Sequence, residues 1–97
     1  MQVTTRFATE RGPQLLGTMA KHFGHKIPVE QSDTRATFEF EAGTGVVALT
    51  DVGLELSAEG ATEDDARRVA DVLERHLVRF AHRDDPQPLD WFAVPTP

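Results

Sequence analysis

Four histidines stand in a chain of 97 residues that has no cysteine. Two of them, His22 and His25, lie three residues apart in the stretch KHFGHK, Lys21 to Lys26. A third, His76, opens a run that continues Leu77, Val78, Arg79, Phe80, Ala81, His82, Arg83. With thiolates absent, imidazole nitrogens and carboxylates are the ligands this chain can offer a metal. His22, His25 and His76 are therefore candidate ligands for iron, zinc or haem, with Glu30 as another third donor. Arg79 and Arg83 carry planar guanidinium forks suited to a carboxylate. Together with His76 they are candidates for binding a small anion.

The elements that carry these residues decide how they are aimed. Gly12-Pro13 opens a helix: proline suits the first turn, where its missing N–H has no partner to lose. Leu15, Leu16, Met19, Ala20 and Phe23 recur at helical spacing, so the pattern predicts a helix from Pro13 to Phe23, closed by a left-handed Gly24. Its apolar face centres near Met19 and Phe23, and His22 falls roughly 90° away, at the boundary. His25 follows Gly24 and is expected to enter the next strand. The two imidazoles thus do not share a helical face, unlike the ligands of helical zinc motifs. A second helix opens at Thr62, with Asp65 three residues on as a capping-box-like partner. Ala66, Val69, Ala70, Leu73, Leu77 and Phe80 form its stripe, to about Ala81. His76 lies roughly 70° from the centre of that stripe, with Arg79 and Arg83 on the same flank, while His82 points to solvent. If the helices pack side by side, His22 and His76 border one groove.

Each feature also has a purely structural explanation. A histidine in the last turn of a helix is favoured by the macrodipole and can satisfy a free carbonyl. His25 then simply follows a cap. Arg79 and Arg83 would pair with Glu30, Asp84 or Asp85, and Trp91 would plug the core. Both readings stand on the sequence alone.

The remaining segments read as strands. Gln2 to Thr9 alternates weakly. Lys26 to Glu30 alternates around Pro28, which confines it to an edge or a short strand. Arg35 to Glu41 sets Ala36, Phe38 and Phe40 against Arg35, Thr37, Glu39 and Glu41. Val46 to Thr50 and Leu54 to Glu59 follow, separated by glycine turns, as in an antiparallel meander. After a loop from Asp84 to Pro88, Leu89, Trp91 and Val94 suggest a short last strand, with a frayed end at 95–97. The expected fold is α+β: an antiparallel sheet of about five strands with two helices on one face. Its order is β-α-β-β-β-β-α, with a terminal short β, the topology of TATA-binding-protein-like domains. One domain, 1–97, suits this length.

Composition narrows the function classes. Ten Lys plus Arg against 16 Asp plus Glu give a net charge of −6. The outer sheet face is expected to present Glu30, Glu39, Glu41, Glu55 and Glu59, which would repel phosphate and discourage sheet-to-sheet association. Nucleic acid and anionic membranes are poor partners for such a chain. There is no apolar leader and no apolar run long enough to span a bilayer. The expected location is the cytoplasm. No phosphate-binding glycine loop or nucleophile elbow is present, so no catalytic residue is assigned.

Several of these stretches resemble one bacterial family. They are the helix ending in Lys21-His22-Phe23-Gly24-His25-Lys26, then Val29-Glu30, then Phe38-x-Phe40 with a glycine turn. His76-Leu77-x-Arg79-Phe80-Ala81-x-Arg83 and Leu89-x-Trp91 complete the pattern. On these motifs the chain is similar to the domain-of-unknown-function 2218 family. That family has no established activity. Its members accompany, or are fused to, siderophore-interacting flavin reductases and iron-uptake genes. The resemblance implies a cytoplasmic accessory role in iron-siderophore or haem handling, with His22, His25, His76, Arg79 and Arg83 in the family motif. On that reading the arginines would attract a carboxylate or hydroxamate-type anion, or a partner's acidic patch, and a flavin reductase is the expected partner. The alternative is a protein-interaction or homodimerisation module using a sheet edge or Trp91 and Phe92, and the third reading is a small metal-dependent enzyme.

Overall fold

The computed structural model describes residues 1–94. The end expected to fray, 95–97, lies outside the described residues. Six strands and two helices follow one another as β1 (Gln2–Ala8), α1 (Gly12–Gly24), β2 (Val29–Gln31), β3 (Arg35–Glu39), β4 (Thr44–Thr50), β5 (Gly53–Glu59), α2 (Glu63–Phe80) and β6 (Phe92–Val94), with a short 3-10 turn at His82–Asp84. All pairings are antiparallel and give the order β2-β3-β4-β5-β1-β6. Both helices pack on one face, as expected. The sheet has one strand more than the five expected, because Phe92–Val94 pairs with Gln2–Thr4 of β1.

Alternation along the strands builds the core. Val3, Phe7, Ala36, Phe38, Val47, Leu54, Leu56 and Ala58 point toward the helices and are buried. The register sets Val47 opposite Leu56 and Val3 opposite Ala58. From the helices, Leu15, Leu16, Met19, Ala20 and Phe23 meet Ala66, Val69, Ala70, Leu73 and Leu77 on the same core. Burying a Leu or Phe side chain is worth about 1.5–3 kcal/mol, so these stripes outweigh the helices' own propensities. Gly45 faces α2 from within β4: a Cβ there would stand 3.1 Å from Leu73 Cδ1 and 3.1 Å from Phe40 Cε2. Its bare backbone lets the helix sit close on the sheet.

The open face is mixed rather than uniformly acidic. Arg6 lies opposite Glu55 in the ladder and its guanidinium Nε is 3.5 Å from the carboxylate. β3 stops at Glu39, so Glu41 sits in the turn rather than on the sheet.

Helix boundaries follow their caps. Thr62 Oγ1 accepts from the Asp65 N–H at 3.1 Å, the expected N-cap of α2. α1 ends differently from the expectation. Gly24 stays helical, and the glycines with positive φ are Gly43 and Gly53. The Phe23 carbonyl accepts from both Lys26 and Ile27 N–H groups, each at 2.9 Å. That turn holds His25 and Lys26. β2 therefore starts at Val29, not Lys26, and His25 is a turn residue rather than a strand residue.

Candidate functional site

α1 and α2 run past each other in opposite senses. Before α1, Arg11 meets Asp84, which lies just after α2: Arg11 Nη2 is 3.1 Å from Asp84 Oδ2, and Thr9 Oγ1 donates to the same oxygen at 3.1 Å. About three turns further along α1, His22 meets His76. Their ring centroids are 4.9 Å apart. The helices do pack side by side and bring these two residues into contact, the condition on which the expectation rested.

An aromatic group surrounds the pair. Phe23 lies 5.2 Å from His22 and 4.7 Å from His76, and Phe80 lies 5.4 Å from His22. Phe23 also packs edge-on against Phe38 and Phe40, which fixes its ring and the end of α1. His22, His76 and Phe80 are half-buried, so the cluster sits at the rim of the core.

The two imidazoles differ in their hydrogen bonding. His76 Nδ1 is 2.7 Å from the Val72 carbonyl oxygen. A carbonyl only accepts, so Nδ1 carries the proton and, in the neutral ring, Nε2 keeps its lone pair. This is the arrangement in which metal-bound histidines are commonly held. His22 Nε2 is buried and has no hydrogen-bond partner, alone among the buried side-chain polar atoms of the described residues. Such an atom costs about 1–3 kcal/mol to leave unsatisfied.

The electrostatics of the site are cationic, although the chain as a whole is acidic. Burial first, then the neighbouring basic groups His76, Lys26, Arg79 and His25, which disfavour a further positive charge, hold the pKa of His22 below the ordinary value of 6.5. His25 and Arg79 are exposed and belong to this rim. Lys26 joins them through the cap turn, although its sequence setting looks like that of any exposed lysine. Arg83 sits a turn beyond, in the 3-10 segment, and is not among the charges bearing on His22. Neither arginine has a carboxylate within 4 Å among the described residues, and Asp84, one of the three acids expected to pair with them, is held by Arg11 instead. Glu30 lies exposed on β2. Among the described residues no group of three or more His, Asp or Glu is arranged to hold a metal ion.

Trp91 does not plug the core. It is half-buried against it, and its indole Nε1–H donates to Glu74 Oε1 at 2.8 Å. The Leu89 N–H donates to Glu74 Oε2 at 3.3 Å. One carboxylate on α2 thus fastens the segment that leads into β6. Sequence reading missed Glu74, which looks like any exposed acid of an amphipathic helix. It also placed the last strand at Leu89, whereas that residue belongs to the fastened strap.

Two helices on one face of an antiparallel sheet, with a histidine pair at the helix crossing, define a small α+β domain. The model of a family described as an uncharacterized protein conserved in bacteria, the domain-of-unknown-function 2218 family, matches residues 4–92. The chain belongs to that family. An NMR structure of PA4090 from Pseudomonas aeruginosa is similar over 94% of each chain, with a TM-score of 0.78 and 22% sequence identity. At that identity the likeness concerns the fold. No curated protein matches the chain. Among the described residues no helix is long and apolar enough to cross a membrane.

Proposed function

We propose that this chain is a small binding domain whose site is the His22–His76 pair, and that it takes a metal already chelated by an anionic ligand, as in a ferric siderophore or haem. The observation that carries this reading is the buried, unpartnered His22 Nε2 beside an imidazole whose tautomer is fixed. Two histidines leave most of a metal's coordination positions to another ligand. The rim of His25, Lys26 and Arg79 opposes a bare divalent cation but attracts a complex of net negative charge. His22 Nε2 is buried and the Phe80 ring stands 5.4 Å from the His22 ring, so access to that nitrogen takes a side-chain rotation. Within this reading the domain is an accessory to iron-siderophore or haem chemistry in the cytoplasm, beside a reductase, rather than an enzyme itself.

The test is a titration of the labelled protein with haemin, with ferric citrate and with zinc chloride, followed by histidine-ring NMR and visible absorption. The expected result is broadening or shift of the His22 and His76 ring signals with one of the iron chelates. His76→Ala should weaken that binding by at least about tenfold, and zinc alone should bind far more weakly. Unmoved His22 and His76 signals with both chelates would remove the proposal, and zinc binding as tight as the chelate would remove its electrostatic argument.

A further inference from the structure

The far edge of the sheet is unused by the histidine pair. β5 flanks β1 along its whole length, but on the other side β6 covers only Gln2 to Thr4. No backbone hydrogen bond among the described residues reaches that side of Thr5–Ala8. Successive residues of an antiparallel strand turn their N–H and C=O to opposite neighbours. About two of these four residues therefore present both groups outward. The strap that follows α2 stands off from this edge and leaves a groove of about 620 Å³ between them. The sequence explains why the strap does not close it. Asp85 has a left-handed backbone, with φ of 48°, which turns the chain away. Pro86 and Pro88 then lack the N–H groups a ladder needs.

The groove has its own chemistry. Phe92 is 65% exposed at one end, and Leu89 and the two prolines line the strap side. Asp85 and Asp90 are exposed there with no ion pair among the described residues. Natural sheet edges are usually blocked by lysine, proline or a covering segment. Thr5–Ala8 itself carries no lysine or proline, the strap beside it makes no backbone hydrogen bond to it among the described residues, and its Arg6 is engaged by Glu55 on the open face.

We infer that this groove binds an extended, basic peptide segment of a partner protein as an added strand on β1. Main-chain bonds to the free edge would supply affinity, and Lys or Arg side chains directed at Asp85 and Asp90 would supply selectivity. A second copy of this chain fits poorly. The chain carries a net charge of −6, and its other edge strand, Val29-Glu30-Gln31, brings a carboxylate to a groove already lined by carboxylates.

The experiment is a titration of the ¹⁵N-labelled full chain with an acetylated, amidated peptide Thr-Lys-Val-Thr-Val-Lys-Thr. Its counterpart with Glu in place of Lys serves as the control. The expected result is saturable movement of the Thr5–Ala8 and Phe92 amides with the lysine peptide. The double variant Asp85→Asn, Asp90→Asn should weaken it about fivefold, and asparagine tolerates the left-handed backbone at 85. No movement at about 2 mM peptide, or equal movement with the glutamate peptide, would overturn the inference. So would the same amides moving when the chain alone is concentrated, because the groove's occupant would then be a second copy.

Discussion

Glu74→Ala is the most informative single change outside the histidine pair. The Glu74 carboxylate accepts from the Trp91 indole at 2.8 Å and from the Leu89 N–H at 3.3 Å. A hydrogen bond to a charged group contributes about 1.5–3 kcal/mol, and a neutral one about 0.5–1.5. The site is half-buried, which pulls the first figure toward its lower end, and the second bond is long. A loss of about 2 kcal/mol follows, and in a domain of this size it would lower Tm by about 8–16 °C. Glu74→Gln keeps one acceptor for the indole and should lose about half as much. Trp91 is the chain's single tryptophan, so its emission reports this contact directly. In Glu74→Ala the emission should shift to the red under native conditions, before global unfolding. The assay is urea denaturation followed by fluorescence and by far-ultraviolet circular dichroism in parallel. A loss under about 0.5 kcal/mol with unshifted emission would show that the strap is held by the packing of Leu89 and Trp91 alone.

Two further changes test the site and the core. His22 has a pKa below 6.5 in the fold, so between 6.5 and that lower value the unfolded chain binds a proton that the folded chain does not. Its contribution to stability is complete above pH 6.5 and is lost as pH falls through the folded value. His22→Ala should therefore flatten the acid side of the stability profile in that window, measured by urea midpoints, and an unchanged slope would contradict the assignment. Gly45→Val would drive a side chain against Leu73 and Phe40, each 3.1 Å from a Cβ at that position. Calorimetry should find it less stable by about 1–3 kcal/mol, and a neutral result would mean that α2 can lift off the sheet at little cost.

Much of the fold is legible in local pattern. Ala36 and Phe38 alternate with polar neighbours, and the stripe from Ala66 to Leu77 keeps a helical period, because each of these residues needs the same core. What failed was settled by contacts distant in sequence or by backbone capture. Leu89 and Trp91 alternate as a strand would, but Glu74, 17 residues before the tryptophan, claims the indole, and pairing begins at Phe92. Gly24 looks like a left-handed cap, yet the Phe23 carbonyl takes two N–H groups from the next turn and needs no positive φ. The meeting of His22 and His76 was readable as a condition on helix packing, since both lie at the edge of an apolar stripe. The removal of Asp84 by Arg11, 73 residues away, was not. Nothing in the spacing of either residue signals the other.

The sheet order has a consequence for how the chain comes together. Of these six strands β1 is made first, yet its neighbours are β5 and β6. Gln2 pairs with Glu59 on one side and with Val94 on the other. On the ribosome, at about 5–20 residues/s, Val3 and Phe7 wait about 2–10 s for β5 to be made. The hairpins from β2 to β5 pair only with near neighbours and can assemble in that interval. The opening strand is therefore a late insertion into a sheet begun without it, and the last strand can pair only after the first has docked.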